Sequence, residues 1–221
     1  ARRVKCASNL KQQGIALVFL KVGMQVQWDA TLSVQQMVDE GVRRAYGNAE
    51  NPLRASVLAD AAGARKNTRD NTPAVVHYEI VPGHHVEVIC AAKGGGSEAK
   101  AKFAMLNPSD DLVEWILKTV PTMGAGWCPP GMLGIGIGGT AEKAMLLAKE
   151  ALMEPIDITE LQARGASNRA EELRLELYAK VNALALWRAA QVVSAGDAGS
   201  RGGKAVQVFL HLIETLARDT A

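Results

Sequence analysis

Cys128 lies in the run Gly124-Ala125-Gly126-Trp127-Cys128-Pro129-Pro130-Gly131, with Lys93-Gly94-Gly95-Gly96-Ser97 upstream and Gly138-Gly139-Thr140 downstream. Glycines and prolines on both sides hold the sulfur on a stiff loop where backbone is accessible. The upstream loop offers several N–H groups unobstructed by Cβ atoms, plus a cation, the make-up of a nest for carboxylate or phosphate. A helix start at Thr140 gives the downstream loop the same anion preference, although capping by Thr140 explains that residue equally well. Together the three loops suit a small anion beside a metal better than they suit a core.

Other candidates divide between chemistry and packing. Arg54 carries a planar guanidinium able to grip a carboxylate with two hydrogen bonds, and on residues alone a solvated surface arginine is an equal reading. Cys90 alternates with Val86 and Val88 and reads as a core position. His77 reads as a structural histidine in a strand; His84 and His85 sit at a turn and point apart, a poor metal pair. Arg69 and Asp70 read as loop braces. No cysteine belongs to a CxxC pair, so a zinc ribbon is excluded on spacing.

The elements that must position these residues follow from periodicity. Gly14 to Gly23 is an apolar run expected to form a buried strand. Ser33 with Gln36 three residues on forms a capping box, and the helix it opens stops at Gly47. Residues 74–80 and 85–92 read as two strands of a hairpin turning through Val81-Pro82-Gly83-His84. Ser109 is expected to cap a short helix carrying Leu112, Trp115 and Ile116. Leu133 to Gly138 alternates glycine with isoleucine, a strand onto which other backbone packs closely. Thr140 caps a helix to about Met153, and Asn168 another with Leu173, Leu177 and Val181 inward. A final amphipathic helix is expected from about Ala205 to Arg218. The sum is an α+β fold, a mixed sheet with packed helices.

Hydrophobic residues make up 48% of the 221 and charged residues 22%, an ordinary globular composition. A net charge of +2 is too small to make nucleic acid or a membrane surface the main partner. No apolar run approaches the ~20 residues of a membrane span. Ala1 is not an initiator methionine, so the start reads as internal or processed. Three widely spaced cysteines, Cys6, Cys90 and Cys128, do not make a secreted disulfide framework and favour a reducing cytoplasm or mitochondrial matrix.

From about Gly14 to Leu184 the chain resembles the N-terminal part of class I fumarate hydratase, the iron–sulfur enzyme related to L-tartrate dehydratase. The segments that carry this are Phe19-Leu20-Lys21-Val22-Gly23-Met24, Glu40-Gly41-Val42-Arg43-Arg44-Ala45-Tyr46, Asn51-Pro52-Leu53-Arg54-Ala55-Ser56 and Asn67-Thr68-Arg69-Asp70-Asn71-Thr72-Pro73-Ala74, completed by the glycine loops. The resemblance implies a domain over residues 1–184, its first ~13 residues divergent, followed by a divergent tail over 185–221. It implies reversible hydration of fumarate to (S)-malate, or dehydration of L-tartrate. Cys128 then falls at one of three cysteines holding a [4Fe–4S] cluster, whose open iron serves as a Lewis acid. Arg54, Lys93, Gly94, Gly95, Gly96, Ser97, Gly138, Gly139 and Thr140 become the binders of a dicarboxylic acid. A C-terminal, beta-type domain or subunit and a homodimer are the implied partners.

Two departures limit that reading. The family's Cys-Gln-Asp-Thr-Gly motif aligns on Leu10, Lys11, Gln12, Gln13 and Gly14, so Gln12 occupies the place of the acid–base aspartate. Cys6 can replace the missing cysteine only if a four-residue insertion bends back; an incidental thiol is the alternative. After Leu184 the family's glycine-rich continuation is absent, as a frame change, a misassigned sequence or a truncated relative would produce. The rival to an enzyme is therefore a non-catalytic fragment without a cluster. A phosphate-binding module finds no Walker or Rossmann pattern.

Overall fold

The structure, a computed structural model, describes residues 15–28, 31–50, 55–124, 132–184, 191–196 and 204–211. Helices and mixed sheets make it an α+β fold. Two compact units divide the chain, one of residues 1–95 with 213–221, the other of residues 96–212.

In the first unit strand β1 (Ile15–Gly23) is central. Strand β4 (Val75–Val81) runs parallel to it on one side and β5 (Val86–Lys93) antiparallel on the other. The expected hairpin of residues 74–80 and 85–92 is therefore not one, because β1 is inserted between its two strands. The connection instead wraps the end of β1: Met24 N–H donates to Val81 O at 2.8 Å and Gln25 N–H to Gly83 O at 2.9 Å. Gly23 is required there, since a Cβ would overlap the Gly83 carbonyl. Helix α1 (Val34–Gly47) begins at the Ser33–Gln36 capping box. Its Val34 and Val38 pack on Val18, Leu20 and Val22, together with Val26 and Val76.

Pairing in register puts Tyr78 and Ile80 of β4, and Val86, Val88 and Cys90 of β5, on that same apolar face. Tyr78 is 70% exposed, and Val88 and Ile80 are exposed too. Cys90, expected in the core, is likewise exposed, because the cluster packed under α1 takes in β1 and Val76 of β4 but no residue of the edge strand β5. What burial its thiol retains pushes its pKa up. His77 stacks on Phe19 with ring centroids 5.1 Å apart, a packing contact on the opposite face. Two short strands, β2 (Leu58–Ala59) and β3 (Lys66–Asn67), pair beside this sheet in sequence.

The second unit is a three-layer sandwich. Its sheet has the order β6 (Lys102–Leu106), β9 (Lys204–His211), β7 (Met132–Gly138), β8 (Gln191–Gly196). Ile135 and Leu133 face a core with Ile116 and Met123 from helix α3 (Leu112–Thr119) and the 3-10 turn after it, and with Leu173, Leu177 and Val181 from α6 (Arg169–Ala183). Burying each of these aliphatic side chains is worth roughly 1.5–3 kcal/mol. On the other face helix α4 (Ala141–Ala151) lies directly against Gly134 and Gly136. The cap of α3 is Asp111 and not Ser109: its carboxylate accepts from Glu114 N–H at 3.0 Å. The helix expected over 205–218 is overturned for residues 204–211, which form strand β9 bonded on both sides.

Helix α5 (Ile158–Arg164) docks on α6 partly through an ion pair. Arg164 and Ser167 hold the Glu171 carboxylate far below the ordinary range, the Arg164 hydrogen bond contributing most. A depressed folded pKa adds stability above the unfolded value, near 4.5, and loses it as pH falls through the folded one. Wild type should therefore lose more melting temperature than Glu171→Gln between pH 6 and pH 2, approaching it at the acid end. Parallel melting curves across that range would show Glu171 to be irrelevant.

Candidate functional site

Strand β5 runs from solvent into the unit and ends on Lys93, which is 1% exposed. Lysines are almost never this buried unless their ammonium is partnered. Gly94 follows it, and Gly95–Ala99 then forms a single short turn of helix, α2, where the sequence suggested an open loop. Within the second unit, Glu98 on this turn pairs with Lys149 of α4 at 3.4 Å, tying the turn to the helix that Thr140 begins.

At the downstream loop, Gly138 ends β7 in register with Ala205. Thr140 is a cap, as expected, its side-chain oxygen accepting from Lys143 N–H at 3.4 Å. Gly138 sits close under α4, with Lys143 Cγ 3.6 Å from where its Cβ would be. The loop is thus fixed by two elements whose backbones nearly touch. Of the expected binders, Lys93, Gly94 and Gly95 belong to the first unit, and Gly96, Ser97, Gly138, Gly139 and Thr140 to the second. Arg54, Cys128, Cys6 and Gln12 lie outside the described residues.

Residues 55–74 form a denser network than their sequence suggested. Asn71 is fully buried with φ of 61°, and Arg69 has φ of 70°, both left-handed. Asp70 accepts from Thr72 N–H at 3.1 Å and from Arg43 Nε at 3.1 Å, which holds its carboxylate below the ordinary range, the Thr72 backbone contributing most. The brace expected of Asp70 is present. Arg69 contributes its backbone N–H, which donates to Asn67 Oδ1 at 2.7 Å. Sequence reading missed Asn71 and Asn67; the signal was a cluster of asparagines, the residue type best able to take left-handed backbone and still offer a side-chain acceptor.

Among the described residues no three His, Cys, Asp or Glu side chains gather as a metal site, and Cys90, the one cysteine described, lies on a sheet face. These residues by themselves do not fit an iron–sulfur cluster. A cleft of about 360 Å³ in the second unit, lined by Glu154, Asp157, Glu160, Arg164, Glu171 and Arg174 among others, contains none of the expected binders. No helix among the described residues is long and apolar enough to cross a membrane.

Residues 11–186 match the profile of the family described as Fumarate hydratase (Fumerase). The "Putative L(+)-tartrate dehydratase subunit alpha" of Methanocaldococcus jannaschii is 32% identical over 179 residues, covering 78% of this chain and 60% of that protein. The L(+)-tartrate dehydratase subunit alpha of Escherichia coli K12 is 29% identical over 183 residues, covering 78% and 56%. The chain thus spans a little over half the length of these relatives.

Proposed function

The chain belongs to the fumarate hydratase family, and from that premise we propose that it is the dicarboxylate-binding part of a hydro-lyase that adds water reversibly to fumarate or removes it from L-tartrate. The observation that carries this reading is the family match across residues 11–186, which takes in all three glycine loops. The buried Lys93 at the strand end leading into the glycine loop agrees with it, as the position where the loop begins. Hydration of fumarate to (S)-malate is the first reading. Tartrate dehydration is the second, favoured by the names of the two relatives.

In this proposal Arg54 grips one carboxylate in a bidentate fork. Lys93, Gly94, Gly95, Gly96 and Ser97 enclose a carboxylate, and Gly138, Gly139 and Thr140 present N–H groups at the start of α4. A [4Fe–4S] cluster accompanies the family reading, with Cys128, and Cys6 if its segment folds back, as the ligands this chain offers. The described residues do not by themselves form its site. Gln12 cannot act as the acid–base group that an aspartate would supply. We propose residues 1–184 as the family-like domain, a beta-type chain as the partner that completes the site, homodimerisation of the whole enzyme, and a cytoplasmic location.

The test is to reconstitute the chain anaerobically with iron and sulfide, measure iron content, and assay fumarate, malate and tartrate. Dicarboxylate binding should be detectable by amide shifts at millimolar concentration, and Arg54→Ala should weaken it at least tenfold. Turnover by the isolated chain should stay at background, since lost acid–base or ligand groups remove orders of magnitude in rate. Absence of any dicarboxylate binding sinks the reading. Rapid malate formation by the chain alone would refute its incompleteness.

A further inference from the structure

We infer that Glu98 is a positioning residue: through its ion pair with Lys149 it seats the turn of residues 96–99 on the end of α4 remote from Thr140, and so fixes where that turn presents its N–H groups. This deepens the proposed function and rests on its reading of Gly96 and Ser97 as carboxylate binders.

Glycine carries no side chain with which to dock, and at Gly95 nothing lies within 4 Å of where a Cβ would stand. The anchors lie at the other end of the turn. Glu98 Oε1 stands 3.4 Å from Lys149 Nζ. Glu98 O accepts from Ala101 N–H at 3.1 Å, and Ala101 packs with Met132 against Ala148 and Leu152. One polar and one apolar anchor thus meet the same stretch at the end of α4.

The pair differs from the other lysine ion pairs described in the second unit. Lys118–Glu114 and Lys180–Glu176 each join residues four apart on one helix, and Lys118 is 74% exposed. Pairs of that kind contribute little. Glu98 and Lys149 come from separate elements, and their side chains are only 31% and 18% exposed. Charges partly withdrawn from water are screened less by solvent and salt.

Two registers place the turn. Helix α4 runs back along β7, with Gly138 beside Lys143 and Ala144, and Gly134 beside Ala148 and Leu152. The helix rise from Thr140 to Lys149 is about 13 Å. In the sheet, Lys102 pairs with Val208 and Val208 with Ile135, while Met105 and Gly138 both pair with Ala205. Strand β6 therefore runs in the same direction as β7, and the turn that feeds it enters from the Met132 side. Glu98 acts on residues 96–99 and not on the Gly138-Gly139-Thr140 turn at the other end of both elements.

A carboxylate beside an anion site repels the anion, so by charge alone removing Glu98 would tighten binding. The positioning role demands the opposite, and that difference of sign carries the test.

The experiment titrates the full chain with fumarate and with L-tartrate. Dissociation constants are read from the amide shifts of residues 96–99 and, separately, of Gly139 and Thr140. Glu98→Gln keeps the shape and removes the charge; Lys149→Met removes the partner. Expected in each are about tenfold weaker binding at the 96–99 amides and faster hydrogen exchange at Ala101. The response of Gly139 and Thr140 should match wild type to within about twofold, as distant sites act independently. Exchanging the pair, Glu98→Lys with Lys149→Glu, should recover most of the loss.

Unchanged or tighter binding in Glu98→Gln overturns the positioning role. So does an equal loss at both turns, which marks a general loosening of the fold, or an exchanged pair that regains the melting temperature without the affinity. Wild-type amides of residues 96–99 that shift with neither diacid overturn the reading of Gly96 and Ser97 as binders, and this inference with it.

Discussion

Gly136→Ala should destabilise the second unit by about 3 kcal/mol or more, lowering its melting temperature by roughly 10 °C, although only one methyl group is added. The new Cβ would overlap the Ala144 carbonyl oxygen and stand 2.5 Å from the Ala148 amide nitrogen. Both are backbone atoms of α4, so no side chain can swing aside. Relief requires the helix to lift from the strand, and that opens the interface where Ala144 and Ala148 are wholly buried. Gly134 makes the same demand one pleat earlier, toward Ala148 O and Leu152. Gly41→Ala is the control, in the exposed middle of α1 with nothing within 4 Å of the new methyl, and should stabilise by about 0.5–1 kcal/mol. Thermal melts of the two variants should move in opposite directions. If Gly136→Ala melts with wild type, the close approach of α4 to β7 is wrong. The consequence reaches the candidate site, since β7 ends at Gly138 and α4 begins after Thr140.

That approach was legible in advance, because glycine alternating with isoleucine in a strand means one face packs side chains and the other packs backbone. The caps at Ser33, Thr140 and Asn168 were legible for a similar reason: each depends on residues within one turn of itself. Pairing over long separations was not. Residues 74–92 carried every local sign of a hairpin, and nothing in them records that β1, some fifty residues earlier, lies between the two strands. The network around Asn71 was partly legible: Asp70 was read as a brace, but the bonds from Asn71 and Asn67 to residues 55–57 depend on a loop fold that no periodicity encodes. The candidate site was named by resemblance to a family, and its chemistry-bearing members Arg54, Cys128, Cys6 and Gln12 fall outside the described residues.

Ending the chain at residue 203 should collapse the second unit, where the sequence suggested a divergent tail with a final amphipathic helix. Residues 204–211 form the strand between β6 and β7, with Val208 opposite Lys102 on one side and Ile135 on the other. Apolar side chains at 206, 208 and 210 recur with the two-residue period of a strand. Phe209 and Leu212 add enough helical spacing to mislead a local reading, and the two flanking ladders decide the outcome. Without β9, strand β6 loses its one partner in the sheet and β7 keeps only β8. Both would present unpaired N–H and C=O groups along open edges, a route to aggregation. Hydrogen exchange is the measurement. Amides of β6 and β7 should lose at least 100-fold in protection, while β1, β4 and β5, which share no ladder with β9, keep theirs. Val208→Pro, which removes one ladder N–H from mid-strand, should reproduce a milder form of the same loss. Because Gly138 pairs with Ala205, a chain without β9 should also lose order at the Gly138-Gly139-Thr140 turn, and with it the N–H groups proposed to meet the substrate. Full protection of β6 in the shortened chain would mean that residues 204–211 play no part in the fold.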